Sequence, residues 1–406
     1  MSLLFSIHKI EIIMSRVFTL ILIQVIIVTG CSMRPTRIAP PVDLIAKTSI
    51  PGISGARFWA DEWPRFSLQR MNAMSDANLQ KVFSATYNVA HNYLAISGGG
   101  SNGAFGAGLL AGWSELGTRP KFTMVTGVST GALTAPFAFL GAKYDPQLKV
   151  IYTQTYTKDV AIEKNIMSAL FSDSLADTKP LQGLIYKYMT PEVIEEIAIE
   201  HRKGRRLYIG TVNLDAARPV IWDVGAIATS DYENKVSLIH DVMLASAAIP
   251  VAFPPVMISV EVDGKHYDEM HVDGSVASQV FVYPAAVDWK KIINRLKVEG
   301  KPQVFVIRNA FLGSDYNGVN PSVLSIATRS IDALLSASGT GDLYQIYALC
   351  ERDGNNFNLA YIPTDFTDKP TEAFDPVYMR KLYKRGYDMA FKNYPWENGP
   401  PGFINN

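Results

Sequence analysis

Two places in this chain where a strand runs through glycines directly into a helix constrain the fold more than any other feature. In the first, Tyr93-Leu94-Ala95-Ile96-Ser97 leads into Gly98-Gly99-Gly100-Ser101-Asn102-Gly103 and then a small-residue helical stretch from Ala104 to about Leu116. In the second, the apolar run Phe122 to Thr126 leads into Gly127-Val128-Ser129-Thr130-Gly131 and a helix reaching about Lys143. Further strand-like runs at Leu207 to Val212, Pro219 to Asp223 and Val304 to Ile307 alternate with helical stretches. Alternation of this kind predicts an α/β fold with a mainly parallel central sheet flanked by helices.

Each junction admits two chemistries. Gly98, Gly100 and Gly103 fit the spacing G-x-G-x-x-G, which would seat a pyrophosphate on a helix N-terminus. That use also requires an acidic residue at the end of the second strand, and here the second strand ends in the serine motif instead. The motif itself is G-x-S-x-G between a strand and a helix, the setting in which a serine oxygen is exposed on a sharp turn and the helix N-terminus favours negative charge beside it. Ser129 is therefore the expected nucleophile, with Gly127 and Gly131 shaping its elbow. The glycine loop then acquires a matching role: backbone N–H groups of Gly98, Gly99 and Gly100 aimed at an oxyanion.

A serine hydroxyl needs a neighbouring base. The usual order along an α/β-hydrolase chain is Ser, acid, His, yet no histidine follows His271. A triad would have to use His201, His240, His266 or His271. Carboxylates offer the other route. Asp263-Gly264 reads as a hairpin turn between Val260 to Asp263 and Lys265 to Met270. His266, Asp268, Glu269, His271 and Asp273 crowd together, but strand alternation puts the first two on one face and the last three on the other, so no metal site is expected.

The ordered blocks Gly98 to Gly103, Gly127 to Gly131, Ala245-Ser246-Ala247-Ala248-Ile249-Pro250-Val251-Ala252-Phe253-Pro254-Pro255 and His271-Val272-Asp273-Gly274-Ser275 resemble the patatin-like phospholipases. The resemblance covers roughly Tyr93 to Ala286 and implies a three-layer fold. It also implies a Ser129–Asp273 dyad without histidine, no cofactor, and an ester or lipid as substrate. Asp273 would take the Ser129 proton and later activate water, which calls for a pKa raised by burial. Three positions depart from the family pattern: Asn102 for Arg or Lys, Ser97 for Asp, and Ser275 for Gly or Ala. Two other readings stand beside this one, a Ser-His-Asp esterase or peptidase and a non-catalytic envelope lipoprotein that uses the fold as a scaffold.

Charge excludes one class of partner. Lys plus Arg and Asp plus Glu both total 38, and no basic run offers a phosphate-binding track, so nucleic acid is not expected. The N-terminus points to a membrane instead. Lys9 and Arg16 precede an apolar run from Val17 to Val28 that is shorter than the roughly 20 residues needed to span a bilayer. Val28-Thr29-Gly30-Cys31 resembles the lipobox of bacterial lipoproteins, which implies cleavage before Cys31, acylation of that cysteine and a lipid anchor. Ser32 is similar to the residue that sends such proteins to the outer membrane, here facing the periplasm. Met14 could serve as the start in place of Met1. The chain divides into a signal peptide (1–30), a Pro-rich tether and extension (31–90), the hydrolase domain (91–395) and an irregular tail (396–406). Only Cys350 remains as a second cysteine, so the mature chain has no internal disulfide available.

Overall fold

A computed structural model of the 406-residue chain describes residues 37–62, 65–164, 172–313 and 318–403. The expected signal segment and Cys31 lie outside the described residues.

Eleven strands are described: β1 (Arg57–Trp59), β2 (Asn92–Ile96), β3 (Met124–Val128), β4 (Ile162–Glu163), β5 (Ala176–Asp177), β6 (Arg206–Asn213), β7 (Arg218–Asp223), β8 (Val256–Val262), β9 (Lys265–Asp273), β10 (Gln303–Arg308) and β11 (Asn356–Tyr361). Nine form the main sheet, in which β6, β3, β2, β10 and β11 are neighbours and all parallel. Antiparallel β7 and β1 extend it beyond β6, and β4 pairs with β5 apart from it. The expected mixed α/β sheet with helices on its faces is what the chain forms.

Parallel strands are buried on both faces, and their alternate residues supply two separate cores. Leu94, Ile96, Val125, Leu207 and Ile209 pack into one layer. Tyr93, Ala95, Met124, Tyr208, Val304 and Val306 point into the other. Six helices matter for the site: α1 (Gly103–Glu115), α2 (Thr130–Leu140), α3 (Asp145–Gln154), α4 (Lys235–Ser246), α5 (Val323–Asp353) and α6 (Pro376–Phe391). The small-residue composition of α1 has a packing reason. A β-carbon at Gly108 or Gly112 would collide with the carbonyls of Tyr383 or Tyr387, so only glycine lets α6 approach this closely.

Some boundaries differ from expectation. The helix after Ser129 stops at Leu140, because Gly141 follows with φ 101°. The helix expected from Ser75 to Ala85 is Asp76–Val82, with Ser75 accepting the Asn78 N–H at 3.3 Å, and a second helix, Arg65–Ala73, precedes it. The Asp263-Gly264 pair does form the turn between β8 and β9, both residues at positive φ. In the tail, Trp396 packs on Trp113 and Phe305, and Glu397 bridges to Leu359.

Candidate active site

One edge of β6 assembles the candidate site. Its first five residues pair with β3 up to Val128 opposite Gly210, while β7 occupies the other edge from Tyr208 to Asn213. Where β3 ends, β9 takes over the vacated edge, with Asp273 opposite Thr211. The last residues of two strands distant in sequence therefore face consecutive residues of a third. Ser129 follows Val128 directly, so the serine and the aspartate arrive side by side.

The elbow at Ser129 is strained. Its backbone sits at φ 55°, ψ −126°, a conformation costing a non-glycine residue on the order of 1–3 kcal/mol. The neighbouring glycines permit the turn by close approach: a β-carbon on Gly127 would strike the Gly131 backbone, and one on Gly131 would strike the Ile96 carbonyl. Ser246, the last residue of α4, braces the turn. Its hydroxyl accepts the Ser129 N–H at 3.0 Å and donates to the Gly210 carbonyl at 2.7 Å.

Asp273 is 1% exposed. Burial pushes its carboxyl up from 3.8 to about 6, against hydrogen bonding from Ser129 and Ser275 that pulls the other way. Oδ1 accepts the Ser275 N–H at 2.8 Å. Oδ2 is buried without a partner of full hydrogen-bond geometry, although the Ser129 side chain is close enough to influence the titration. Looser contacts of this kind are common between a nucleophile and its base before substrate binds. The pair thus offers one free, buried oxygen beside a strained hydroxyl.

The three expected oxyanion glycines occupy distinct positions. Gly98 donates its N–H to the Gln279 carbonyl at 3.0 Å, so that group is already engaged. Its contribution is space, since a β-carbon there would lie 3.1 Å from Ser129 Cβ and 2.7 Å from Ser275 Oγ. Gly99 (φ 154°) and Gly100 (φ 56°) have N–H groups without an acceptor among the described residues, and both border the same cavity as Ser129. Asn309, just past the end of β10, locks this loop. Its Nδ2 donates to the Ser97 carbonyl at 3.0 Å, its N–H donates to Ser97 Oγ at 2.8 Å, and its Oδ1 accepts the Gly106 N–H at 3.1 Å. Sequence reasoning did not single out Asn309 or assign Ser246 a role. A signal existed for Asn309, because ligand sites in α/β sheets lie beyond the carboxyl ends of the strands.

The positions that depart from the family pattern are integrated in the same structure. Ser97 Oγ donates to the Gly98 carbonyl at 2.7 Å, Asn102 Oδ1 accepts the Tyr378 hydroxyl at 2.7 Å, and Ser275 holds Asp273. The glycine loop is thus tied to α6 through a neutral contact.

Ser129 opens into a cavity of about 930 Å³. Leu133, Leu175, Leu181, Leu184, Phe253 and Phe374 make its wall largely apolar. Its size and lining are those of a site for an organic molecule with a substantial apolar part.

Three of the four histidines considered for a triad are engaged elsewhere. His240 pairs with the Met189 carbonyl at 2.7 Å, and His201 lies beside Asp223, where burial lowers its pKa to about 4. His266 is exposed on β9. His271 is fully buried, with Nε2 3.0 Å from Glu269 Oε2 and Nδ1 3.0 Å from Thr211 Oγ1. Arg57 of β1 completes that network by pairing with Glu269, so the N-terminal extension closes over the strand that carries Asp273. Burial alone would raise Glu269, but hydrogen bonds from His271 and Arg57 hold it well below the usual carboxylate range. Among the described residues, no group of three or more His, Cys, Asp or Glu is arranged to hold a metal.

Residues 94–286 match the family model for patatin-like phospholipases. Over this stretch the chain is similar to that family. Among solved structures, the crystal structure of VipD from Legionella pneumophila aligns at 15% identity and a TM-score of 0.35, covering 75% of this chain and 66% of that one. No curated protein matches the chain by sequence.

Proposed function

We propose that this protein hydrolyses carboxylic esters of lipids, phospholipids or lysophospholipids among them, through an acyl-enzyme on Ser129. The observation that carries the proposal is the buried Asp273 carboxylate, with one oxygen uncommitted, beside a strained serine at the wall of an apolar cavity. In the first half-reaction the Ser129 oxygen attacks the ester carbonyl and its proton passes to Asp273. The oxyanion is stabilised by the N–H groups of Gly99 and Gly100. Collapse expels the alcohol, which takes the proton from Asp273, and leaves the acyl group on Ser129. Water then gives a proton to Asp273 and attacks the acyl-enzyme. The fatty acid leaves as Ser129 recovers a proton.

The lipobox-like run at 28–31 supports a second part of the reading, an enzyme tethered to the bacterial envelope through acylated Cys31, on the periplasmic side of the outer membrane. Incorporation of labelled palmitate that disappears in Cys31→Ala, followed by membrane fractionation, tests the tether.

Fluorophosphonate labelling and a panel of lipid and short-chain esters test the chemistry. Ser129→Ala should lose both labelling and turnover, and Asp273→Asn should lose turnover by at least about 10³-fold. An unreactive Ser129 in the parent protein would mark a scaffold, and full turnover in Asp273→Asn would remove the aspartate from the reaction.

A further inference from the structure

Arg308, the last residue of β10, is a buried cation with an incomplete set of partners. It is 1% exposed. Nη1 donates to Gln279 Oε1 at 2.9 Å, Nη2 reaches the Ser336 carbonyl only at 3.5 Å, and Nε is buried with no acceptor among the described residues. Asp342 of α5, the acid whose charge acts on it, spends its Oδ2 on other donors, the N–H groups of Gln279 at 2.7 Å and Val280 at 3.3 Å. Burying a guanidinium short of partners is costly, and an apolar side chain of similar volume would fill the same space without that cost. The helix α5 nevertheless makes room for it: a β-carbon at Gly339 would strike Nη1.

What the guanidinium holds gives it a purpose. Gln279 is fixed at three points: its side chain takes Arg308, its N–H donates to Asp342, and its carbonyl accepts the Gly98 N–H at 3.0 Å. Strand alternation sends Arg308 and Asn309 to opposite faces of the sheet. Asn309 holds Ser97 and reaches α1 at Gly106, while Arg308 faces α5 and acts on Gly98 through Gln279. The Ser97–Gly98 peptide is therefore gripped from both sides at the point where the chain leaves β2 for Gly99 and Gly100, the residues with free N–H groups at the Ser129 cavity. Glycines have the most backbone freedom to lose, and a group misplaced by about 1 Å can slow a reaction on the order of 10²-fold.

We propose that Arg308, acting through Gln279, is a positioning residue for the oxyanion loop, with Asp342 bracing the same glutamine from α5. The proposal rests on the hydrolase reading for its chemistry, and the order of the loop can be measured without turnover.

The test compares the full chain with Arg308→Met, with Gln279→Ala, which alters a half-buried side chain and leaves the backbone carbonyl in place, and with both together. Ile346→Ala is the control, a core truncation at a 3% exposed site further along α5. Each single variant should lower kcat for a short-chain ester at least about tenfold with KM within about twofold, because oxyanion contacts are made in the transition state. The double variant should lose no more than about twofold beyond the worse single one, since the two side chains act as one unit. Hydrogen exchange resolved to single amides should find Gly98 exchanging at least about tenfold faster in both variants and unchanged in Ile346→Ala. Unchanged Gly98 exchange, intact kcat in folded Gln279→Ala, a loss confined to KM, multiplicative losses in the double variant, or an equal kcat loss in Ile346→Ala would each overturn the assignment. Should the parent protein neither turn over esters nor react with a fluorophosphonate, the hydrolase reading fails while the exchange of Gly98 still decides whether Arg308 holds the loop.

Discussion

Asp273 commits one carboxylate oxygen to the Ser275 N–H at 2.8 Å and keeps the other buried beside Ser129. Two measurable consequences follow from burying a carboxylate in this way.

Since burial raises the Asp273 pKa to about 6, turnover should increase about tenfold per pH unit below that value and level off above it. Stability runs in the opposite direction. With the folded pKa above the ordinary 3.8, the protonated group favours the native state at low pH, and that contribution is lost as pH rises through about 6. About two pKa units at 1.36 kcal/mol each put the penalty of the ionised form near pH 7.5 at up to about 3 kcal/mol. Asp273→Asn keeps the acceptor for Ser275 and removes the charge. It should therefore melt higher than the parent at pH 7.5 and match it near pH 4, as followed by calorimetry. An equal gap at both pH values would show that the carboxylate is not desolvated.

At Ser129 the backbone conformation can be separated from the hydroxyl. Ser129→Ala and Ser129→Gly both remove the hydroxyl, but only glycine occupies φ 55°, ψ −126° without steric cost. Denaturant unfolding should find Ser129→Gly more stable than Ser129→Ala by about 1 kcal/mol, after glycine's extra chain entropy is taken into account. If the alanine variant is the more stable, the elbow holds no strain.

The cavity wall should govern which acyl chains are accepted. Leu184 lines it from the helix Lys179–Tyr188, remote from the Ser129 turn. Leu184→Trp should reduce kcat/KM for long-chain esters about tenfold, or about 1.4 kcal/mol, while leaving acetyl and butyryl esters nearly unaffected. Equal loss across all chain lengths would mean that the acyl group binds elsewhere.

Both glycine junctions, the α/β alternation and the turn at Asp263-Gly264 were legible in the sequence, because each rests on local rules of turn geometry and burial period. The side-by-side placement of Ser129 and Asp273 was implied there only by resemblance. Its physical cause, two strands sharing one edge of β6, is a long-range pairing that no local pattern encodes. The role of Ser246 was illegible for a similar reason, and that of Asn309 was signalled only by its place after a strand end, since each acts through hydrogen bonds to segments far away in the chain. Residues 98–100 read as three equivalent donors, whereas the carbonyl of Gln279 removes Gly98 from that set.

The edge of β6 has a consequence for how such an enzyme can diversify. Spacing between Ser129 and Asp273 is held by a backbone ladder on β6, so the chain that travels from α2 to β6 is free to lengthen, shorten or change composition. New specificities can then arise by rebuilding that excursion, which includes the β4–β5 rim and Leu181 and Leu184 of the cavity wall, while the reacting atoms stay where the ladder puts them.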